Sequence, residues 1–537
     1  MFIPIFIASI ILHTNAASIV SRSQSHSLSQ PGVLGPQTSI IIGNKVIAPD
    51  GFERSATLVD GTFPGPLIAA QKGDKFSIEV VNELMDDAMF KSTSVHWHGI
   101  YQNETNYADG TSFVTQCPIA QNHSFLHSFS APNQAGTYWY HSHYSVQQES
   151  CDGLKGPLVI YDPHDPLAHM YDIDDVNTII TLSDWYHSVA PVLRGISGLT
   201  PNSTLINGHG RYTGGPMSEL AVISVERGKR YRMRLIAMAC YPNYLFSIDN
   251  HNLTVIEADG QLTEPLVVDQ LQIYAGQRYS VVLVADMAVD SYWIRALPNL
   301  VNSSYEGGTN TAILRYNDAP KADPTTTNTT VNNPLQEMNL HALIDPGAPG
   351  IPGYGKADIN VNLTVTTLSG IFYVNGIQFQ PPTVPVLLQI LSGAQEPSQL
   401  LPNGSVIVLE ANKIVELTLA SDGAGVPHPM HLHGHTVDVV QSAGNSTFNY
   451  VNPVRRDVVN AGAFGEQMVI RWITDNSGPW FLHCHIDWHL DTGFAVVMAE
   501  SPSDTRAHLN PIPSEWDQLC PIFDSLSPSQ LGGRNHS

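Results

Sequence analysis

Along this chain, apolar and polar residues alternate in short runs that stop at Gly, Pro or Asn. "KFSIEVVNEL" (75–84), "GPLVIYD" (156–162), "LAVISVERGKRYRMRLI" (220–236), "QRYSVVLVAD" (277–286), "SYWIRA" (291–296) and "KIVELTLA" (413–420) are examples. Period-two alternation rich in β-branched and aromatic residues predicts strands, each with one face inward. Long stretches of helical period are scarce. Many short strands at this density predict an all-β protein built of β-sandwiches of roughly 100–200 residues each. "YDPHDP" at 161–166 and the Pro/Thr/Asn-rich "NDAPKADPTTTNTTVNNP" at 317–334 read as boundaries. They divide the chain into units 38–162, 163–332 and 333–537. "DGTFPGPLI", "INGHGRY" and "VNGIQFQPPTVPVLL" each place an Asn- or Asp-Gly turn after a strand near the start of a unit, a faint internal repeat.

The N-terminus departs from this pattern. "MFIPIFIASIILHTNA" is a short apolar run ending in small residues, which predicts a signal peptide over residues 1–17. The Ser/Gln-rich residues that follow, to position 37, read as a flexible leader. Ten N-x-S/T triplets between Asn103 and Asn535 agree with a secreted glycoprotein. No second stretch of ~20 apolar residues suggests a membrane span.

Composition narrows the function. With 48 acidic against 25 basic residues, the net charge of −23 repels nucleic acid and anionic membrane surfaces. Five cysteines leave one thiol over in an oxidising compartment. Cys117, Cys151, Cys240 and Cys520 can make two disulfides; Cys484 stands among histidines and reads as a metal thiolate.

Histidine placement carries the chemistry. Of 23 histidines, eight fall in four H-x-H pairs: His96/His98, His141/His143, His431/His433 and His483/His485. One such pair is ordinarily an exposed strand face, but four in one acidic chain point to metal. In an extended chain, residues i and i+2 share a face about 6.5–7 Å apart, so each pair can reach two neighbouring ions. Four pairs can therefore enclose three ions. Cys484 lies between His483 and His485 and must face the other way. Its thiolate serves a different metal, which His489 and His428 complete as a His₂Cys trigonal set, the donor set of blue-copper electron-transfer sites. The cysteine's own backbone then connects the two sites over a distance on the order of 10–15 Å.

With "HWHGIYQNETNYADG", "GTYWYHSHYSVQQ", "HPMHLHGH" and "GPWFLHCHIDWHLDTGF" in place, the sequence resembles the multicopper oxidases, and among them the fungal laccases of basidiomycete type, from about residue 38 onward. The resemblance implies three cupredoxin-like Greek-key domains and four copper ions. It implies one-electron oxidation of phenols, coupled to reduction of O₂ to water, in the breakdown of lignin or other phenolics. It assigns His428, Cys484 and His489 to the mononuclear site, and His96 and His431 to one ion of a trinuclear cluster between the first and third domains. The remaining pair of ions would take His98, His141 and His485, and His143, His433 and His483. His435 would support these ligands without binding metal. Phe494 would occupy the axial position of the mononuclear site, where it cannot ligate. Asp109 and Asp457 match acids beside the cluster, with proton-donor or charge-balancing roles. Glu219 would be the carboxylate that receives the phenol proton next to His489. Asn299, Leu300, Gly425 and Pro427 would line the substrate pocket. The disulfides would be Cys117–Cys520 and Cys151–Cys240. The expected partners are small aromatic donors and O₂, without nucleic acid or membrane, and the expected state is a monomer. Two rivals follow from the same residues: a ferroxidase with carboxylates near His489, and a copper-binding protein without catalysis.

Overall fold

The computed structural model describes residues 32–144, 148–196, 199–299, 305–421, 426–509 and 511–532. Its strands form six sheets, two in each of three successive sandwiches. The expected signal peptide, residues 1–17, lies outside the described residues. The leader expected to run to residue 37 ends sooner: Val33–Leu34 pairs in parallel with Leu67–Ile68, and Gln37–Ile47 is already a long strand. Backbone pairing there overrides a polar composition that looked unstructured.

The faint internal repeat is structural. In each sandwich an early strand pairs in parallel with a later one: Gln37–Ile47 with Lys75–Glu83, Ile179–Trp185 with Arg230–Ala237, and Ile359–Leu368 with Ile414–Ser421. The same early strand pairs antiparallel with the next strand, which runs into a tight turn. Asp60-Gly61, Asn207-Gly208 and Asn375-Gly376 sit at its centre, all six with positive φ. Two consecutive left-handed residues define a type I′ turn, which Asx-Gly adopts at little cost. The repeated dipeptide is thus the mark of one turn used three times.

Burial follows neighbours. In Lys75–Glu83, Phe76, Ile78 and Val80 point inward and alternate with exposed or half-exposed residues, as the sequence pattern predicts. Gly136–Ser142 and Gly478–Cys484 are buried at every position. Both faces of these strands are covered, so they read as continuous apolar and aromatic runs. They also carry His141 and His483. The C-terminal segment, counted with the third unit, returns to the first. Leu509, Trp516 and Leu519 join the core of the first sandwich, Trp516 Nε1 donates to the Thr115 carbonyl at 3.0 Å, and Cys520 bonds Cys117. The first and third sandwiches are therefore clamped together.

Candidate metal centres and substrate cleft

Two strand pairs build the histidine cage. In the first sandwich, Val95–His98 runs antiparallel to Gly136–Ser142 and sets His96 opposite His141. In the third, Pro429–Leu432 runs antiparallel to Gly478–Cys484 and sets His431 opposite His483. The halves meet ring to ring: His98 stacks on His431 at 3.8 Å between centroids, and His96 on His433 at 4.0 Å. Trp139 backs the group, stacked on His141 at 4.2 Å.

Most of these rings are anchored through one nitrogen. His96 Nδ1 donates to the Asp109 carbonyl (2.8 Å), His431 Nδ1 to the Asp457 carbonyl (2.9 Å) and His433 Nδ1 to Asp109 Oδ2 (2.9 Å). His483 Nδ1 donates to the Cys484 carbonyl at 2.9 Å, and His98 Nε2 to Asp457 Oδ1 at 3.2 Å. The opposite nitrogens converge. His96 Nε2, His98 Nδ1, His141 Nε2, His431 Nε2 and both nitrogens of His485 are buried without a hydrogen-bond partner. His483 Nε2 lies 3.1 Å from His433 Nε2 and 3.5 Å from His143 Nε2. Buried polar atoms left unpaired are costly, and metal coordination satisfies them. Burial, reinforced by neighbouring imidazoles, lowers the pKa of His98, His141, His143, His431, His433 and His485 well below the ordinary value. That of His483 falls to about 3. Neutral imidazole is the form that binds metal. Donor atoms within 4.8 Å of one another fall into the groups His96/His98/His431, His98/His141/His485 and His143/His433/His483. The residues present thus fit metal ions.

Cys484 faces away from this cage. It pairs with Met430 across the strands, on the side of the third domain's apolar core. Its Sγ lies 3.7 Å from His428 Nδ1 and 3.7 Å from His489 Nδ1, and the two nitrogens are 3.2 Å apart. This near-equilateral triangle fits a trigonal His₂Cys ion. Burial pushes the Cys484 thiol well up and holds His428 down to about 4. The thiolate form therefore calls for a bound cation. Phe494 reaches the site because the chain folds back after the helix Asp487–Asp491. The Cys484 N–H donates to the Phe494 carbonyl, and the Phe494 N–H to the His489 carbonyl. The Phe494 ring is fully buried, 5.1 Å from His428, and stacks on Phe372 at 5.1 Å. Phe372 also packs on His489 at 4.6 Å. One side of the triangle is thus walled by hydrocarbon.

The two acids sit where they hold ligands. Asp109 serves His96 through its carbonyl and His433 through its carboxylate, which also accepts from Thr111 Oγ1 at 2.7 Å. Gly110 follows with positive φ, and a Cβ there would lie 1.8 Å from the Val95 carbonyl oxygen, so this turn requires glycine. Asp457 serves His431 and His98 in the same two ways. It is also clamped by Arg278 at 2.6 Å through both guanidinium nitrogens. Burial raises its pKa to about 6 against the pull of Arg278. His435 donates from Nδ1 to the His433 carbonyl at 3.1 Å, and its Nε2 lies 3.3 Å from Glu500.

Multicopper oxidase family models match residues 42–165, 176–319 and 379–504. The chain is 54 % identical to Laccase-4 of Trametes villosa over 93 % of its length and 96 % of the relative's. It is 54 % identical to Laccase-2 of Pleurotus ostreatus, over 93 % and 95 %. Among solved structures it resembles the laccase of Botrytis aclada, with a TM-score of 0.80, 31 % identity and coverage of 93 % and 94 %. The chain belongs to the multicopper oxidase family. Its kin there are the fungal laccases, its three domains are cupredoxin-like, and its activity is that of a laccase.

In this multicopper oxidase the substrate side differs from expectation. Both disulfides form as implied, Cys117–Cys520 and Cys151–Cys240, and Cys484 is the free thiol. Glu219, however, stands at the sheet edge three strands from the one that leads to Tyr241 and His489. It is exposed, three residues before the edge strand Val222–Val225. That strand pairs with Thr311–Tyr316, which pairs with Ser291–Pro298, which pairs with Tyr244–Ile248. Three strand spacings of ~4.8 Å put about 14 Å between Glu219's strand and the one that leads to the metal site. Adjacent Ser218 is tied instead to the Asp50 carbonyl at 2.8 Å. On the second-domain side, Tyr241 lies edge-on to His489 at 6.0 Å. It is placed by its neighbour: the Cys240 carbonyl accepts the Asp487 N–H at 2.9 Å. Nothing in the local sequence marked Tyr241; long-range bonds of its neighbour Cys240, to Asp487 and to Cys151, hold it at the site.

Leu300 and Gly425 lie outside the described residues. Asn299 and Pro427 do come together. They line one cleft of about 420 Å³ between the second and third domains, with Gln272, Tyr274, Asn460 and Glu466. Asn299 is held by its N–H to the Asn243 carbonyl (2.9 Å), and the Asn243 side chain accepts from Gln272 (2.7 Å). Pro427, the neighbour of His428, puts one wall of the cleft beside a ligand of the thiolate site. Arg278, Tyr241, Phe372 and Trp139 are site residues that reading the sequence missed.

Proposed function

We propose that the enzyme takes electrons one at a time from phenolic and related aromatic donors at the His428–Cys484–His489 site. Four such electrons, with four protons, reduce one O₂ to two waters at the histidine cage. One copper ion at the thiolate site and three in the cage supply the redox chemistry when bound. The residues supply the rest. His489 is the half-exposed donor of its triangle and gives the electron a way in, while His428 and Cys484 are buried. Cys484 is bonded through one peptide link to each of His483 and His485, so the two sites share a continuous covalent path. Phe494 and Phe372 wall one side of the triangle with hydrocarbon, which would favour the reduced state and a high potential of a copper ion held there. Asp109 and Asp457 orient four cage histidines between them and would pass protons toward O₂.

The observation that carries this reading is the opposite facing of Cys484 and its two neighbouring histidines, which serve separate donor groups. Copper-loaded enzyme should absorb near ~600 nm and consume one O₂ per four molecules of a methoxyphenol oxidised. Absence of the band, or phenol oxidation without O₂ uptake, would sink it. A ferroxidase needs several oxygen donors around Fe²⁺ at His489, whereas the rings of Phe372 and Tyr241 pack on that histidine. Comparing rates on Fe²⁺ and on a methoxyphenol separates the two readings. Export and a monomeric state complete the proposal. Export rests on the apolar N-terminal run, and size-exclusion of the native protein tests the monomer. Among the described residues no helix is long and apolar enough to cross a membrane.

A further inference from the structure

A phenol that loses an electron must also lose its proton, and the rings packed on His489 include Tyr241 and Phe372, of which the first is a poor base at the enzyme's working pH and the second no base at all. The cleft between the second and third domains, which reaches Pro427 next to His428, is lined largely by amides and hydroxyls: Gln272, Tyr274, Asn299 and Asn460. Amides accept hydrogen bonds but do not take up protons. Two carboxylates line the same cleft, Glu337 and Glu466. Glu337 is committed to Arg456, with Oε1 2.8 Å from the guanidinium, in a network that Asp259 shares. Glu466 is placed differently. Its Oε2 accepts one backbone N–H, from Ala463 at 2.8 Å, and it forms no ion pair among the described residues.

The loop that carries Glu466 is built around the metal site. It starts where the Ala461 N–H donates to the His428 carbonyl at 2.8 Å. It ends where the Glu466 carbonyl accepts the Ser421 N–H at 3.0 Å. It therefore brackets both ends of the segment that delivers Pro427 and His428. The carboxylate lies back over its own loop: a Cβ on Gly462 would fall 2.5 Å from Oε2, so that glycine makes room for it. A rigid backbone fixes the group at the cleft wall, with lone pairs left over for a ligand.

We infer that Glu466 is the proton acceptor for phenolic donors in this enzyme and a determinant of their selection. The inference rests on the laccase reading above. As the donor ArOH binds in the cleft, its hydroxyl donates to the Glu466 carboxylate. The electron leaves through His489, the O–H bond breaks, and the proton passes to Glu466, leaving the neutral radical ArO•. Glu466 then returns the proton to solvent. The oxidant is the mononuclear metal site, which O₂ regenerates. Donors that lose an electron without a proton make no use of Glu466.

The test uses copper-loaded full-length enzyme and two donors, 2,6-dimethoxyphenol and ferrocyanide. Glu466→Gln keeps the acceptor for the Ala463 N–H and removes the base. It should lower kcat/KM for the phenol by about 10-fold or more and leave ferrocyanide within about twofold. Glu466→Asp should recover most of the phenol activity. The solvent isotope effect on phenol oxidation should change in Glu466→Gln, while the ~600 nm absorption stays unchanged. Equal losses on both donors, or no loss on either, would overturn the assignment. A wild-type enzyme that oxidised ferrocyanide but not the phenol would sink the phenol reading itself, and this assignment with it.

Discussion

The two metal sites use the same imidazole donors and hold them in opposite ways. The cage draws its rings from two domains, buries them all, and ties most of them by a second nitrogen to a carbonyl or carboxylate. The thiolate site draws on one domain. It leaves His489 partly exposed and surrounds its triangle with Phe372, Phe494 and Tyr241. Anchored rings in a closed cavity suit a reaction that must retain partly reduced oxygen and admit protons at chosen points. Hydrocarbon walls and one exposed edge suit outer-sphere electron transfer, which needs little rearrangement and no bond to the donor. The lesson is that the surroundings of the ligands, more than the ligands, divide the labour.

The division can be broken from either side. Cys484→Ser should abolish the ~600 nm band and lower turnover by roughly 10³-fold or more, at least about 4 kcal/mol of barrier. The cage should still bind copper, measured by metal analysis and by the spectra of the remaining ions. Asp109→Asn acts on the cage alone. It weakens the anchor on His433, so reoxidation by O₂ should slow by about 10²-fold while phenol reduces the thiolate site at the wild-type rate. Stopped-flow measurement of the two half-reactions separates them, and equal slowing of both would refute the division.

Phe494→Met tests the hydrocarbon wall. A thioether in place of the ring should lower the potential of the thiolate site and slow high-potential donors, with a redox titration as the measure. An unchanged potential would show that Phe494 only fills space. The smallest effects belong to the substrate edge. Tyr241→Asp should raise phenol oxidation relative to ferrocyanide several-fold by adding a base beside His489, whereas Glu219→Gln should leave that ratio unchanged. A large loss in Glu219→Gln would mean that the second-domain edge strand approaches the donor after all.

How much of this was legible in the sequence follows from the range of the forces involved. The alternation in Lys75–Glu83 is a local consequence of the pleat and could be read directly. So could the opposed directions of Cys484 and His483, since they follow from period two alone. The Asx-Gly turns were visible as a weak repeat because a type I′ turn places demands on two adjacent residues. Residue 33 onward looked like leader, because the pairing that orders it comes from Leu67–Ile68.

The sequence by itself determined the donor sets: which side chains can offer atoms to a metal, that they fall into two kinds of group, and that one segment joins them. Those properties reside in residue type and spacing along a strand. Only the tertiary structure decided what stands beside the exposed imidazole. Tyr241 is held there by long-range bonds of its neighbour Cys240, to Asp487, 247 positions away, and to Cys151, and Glu219 is placed at the sheet edge by the order of strands. Strand order and inter-domain packing are set by the whole core, so no local pattern encodes them.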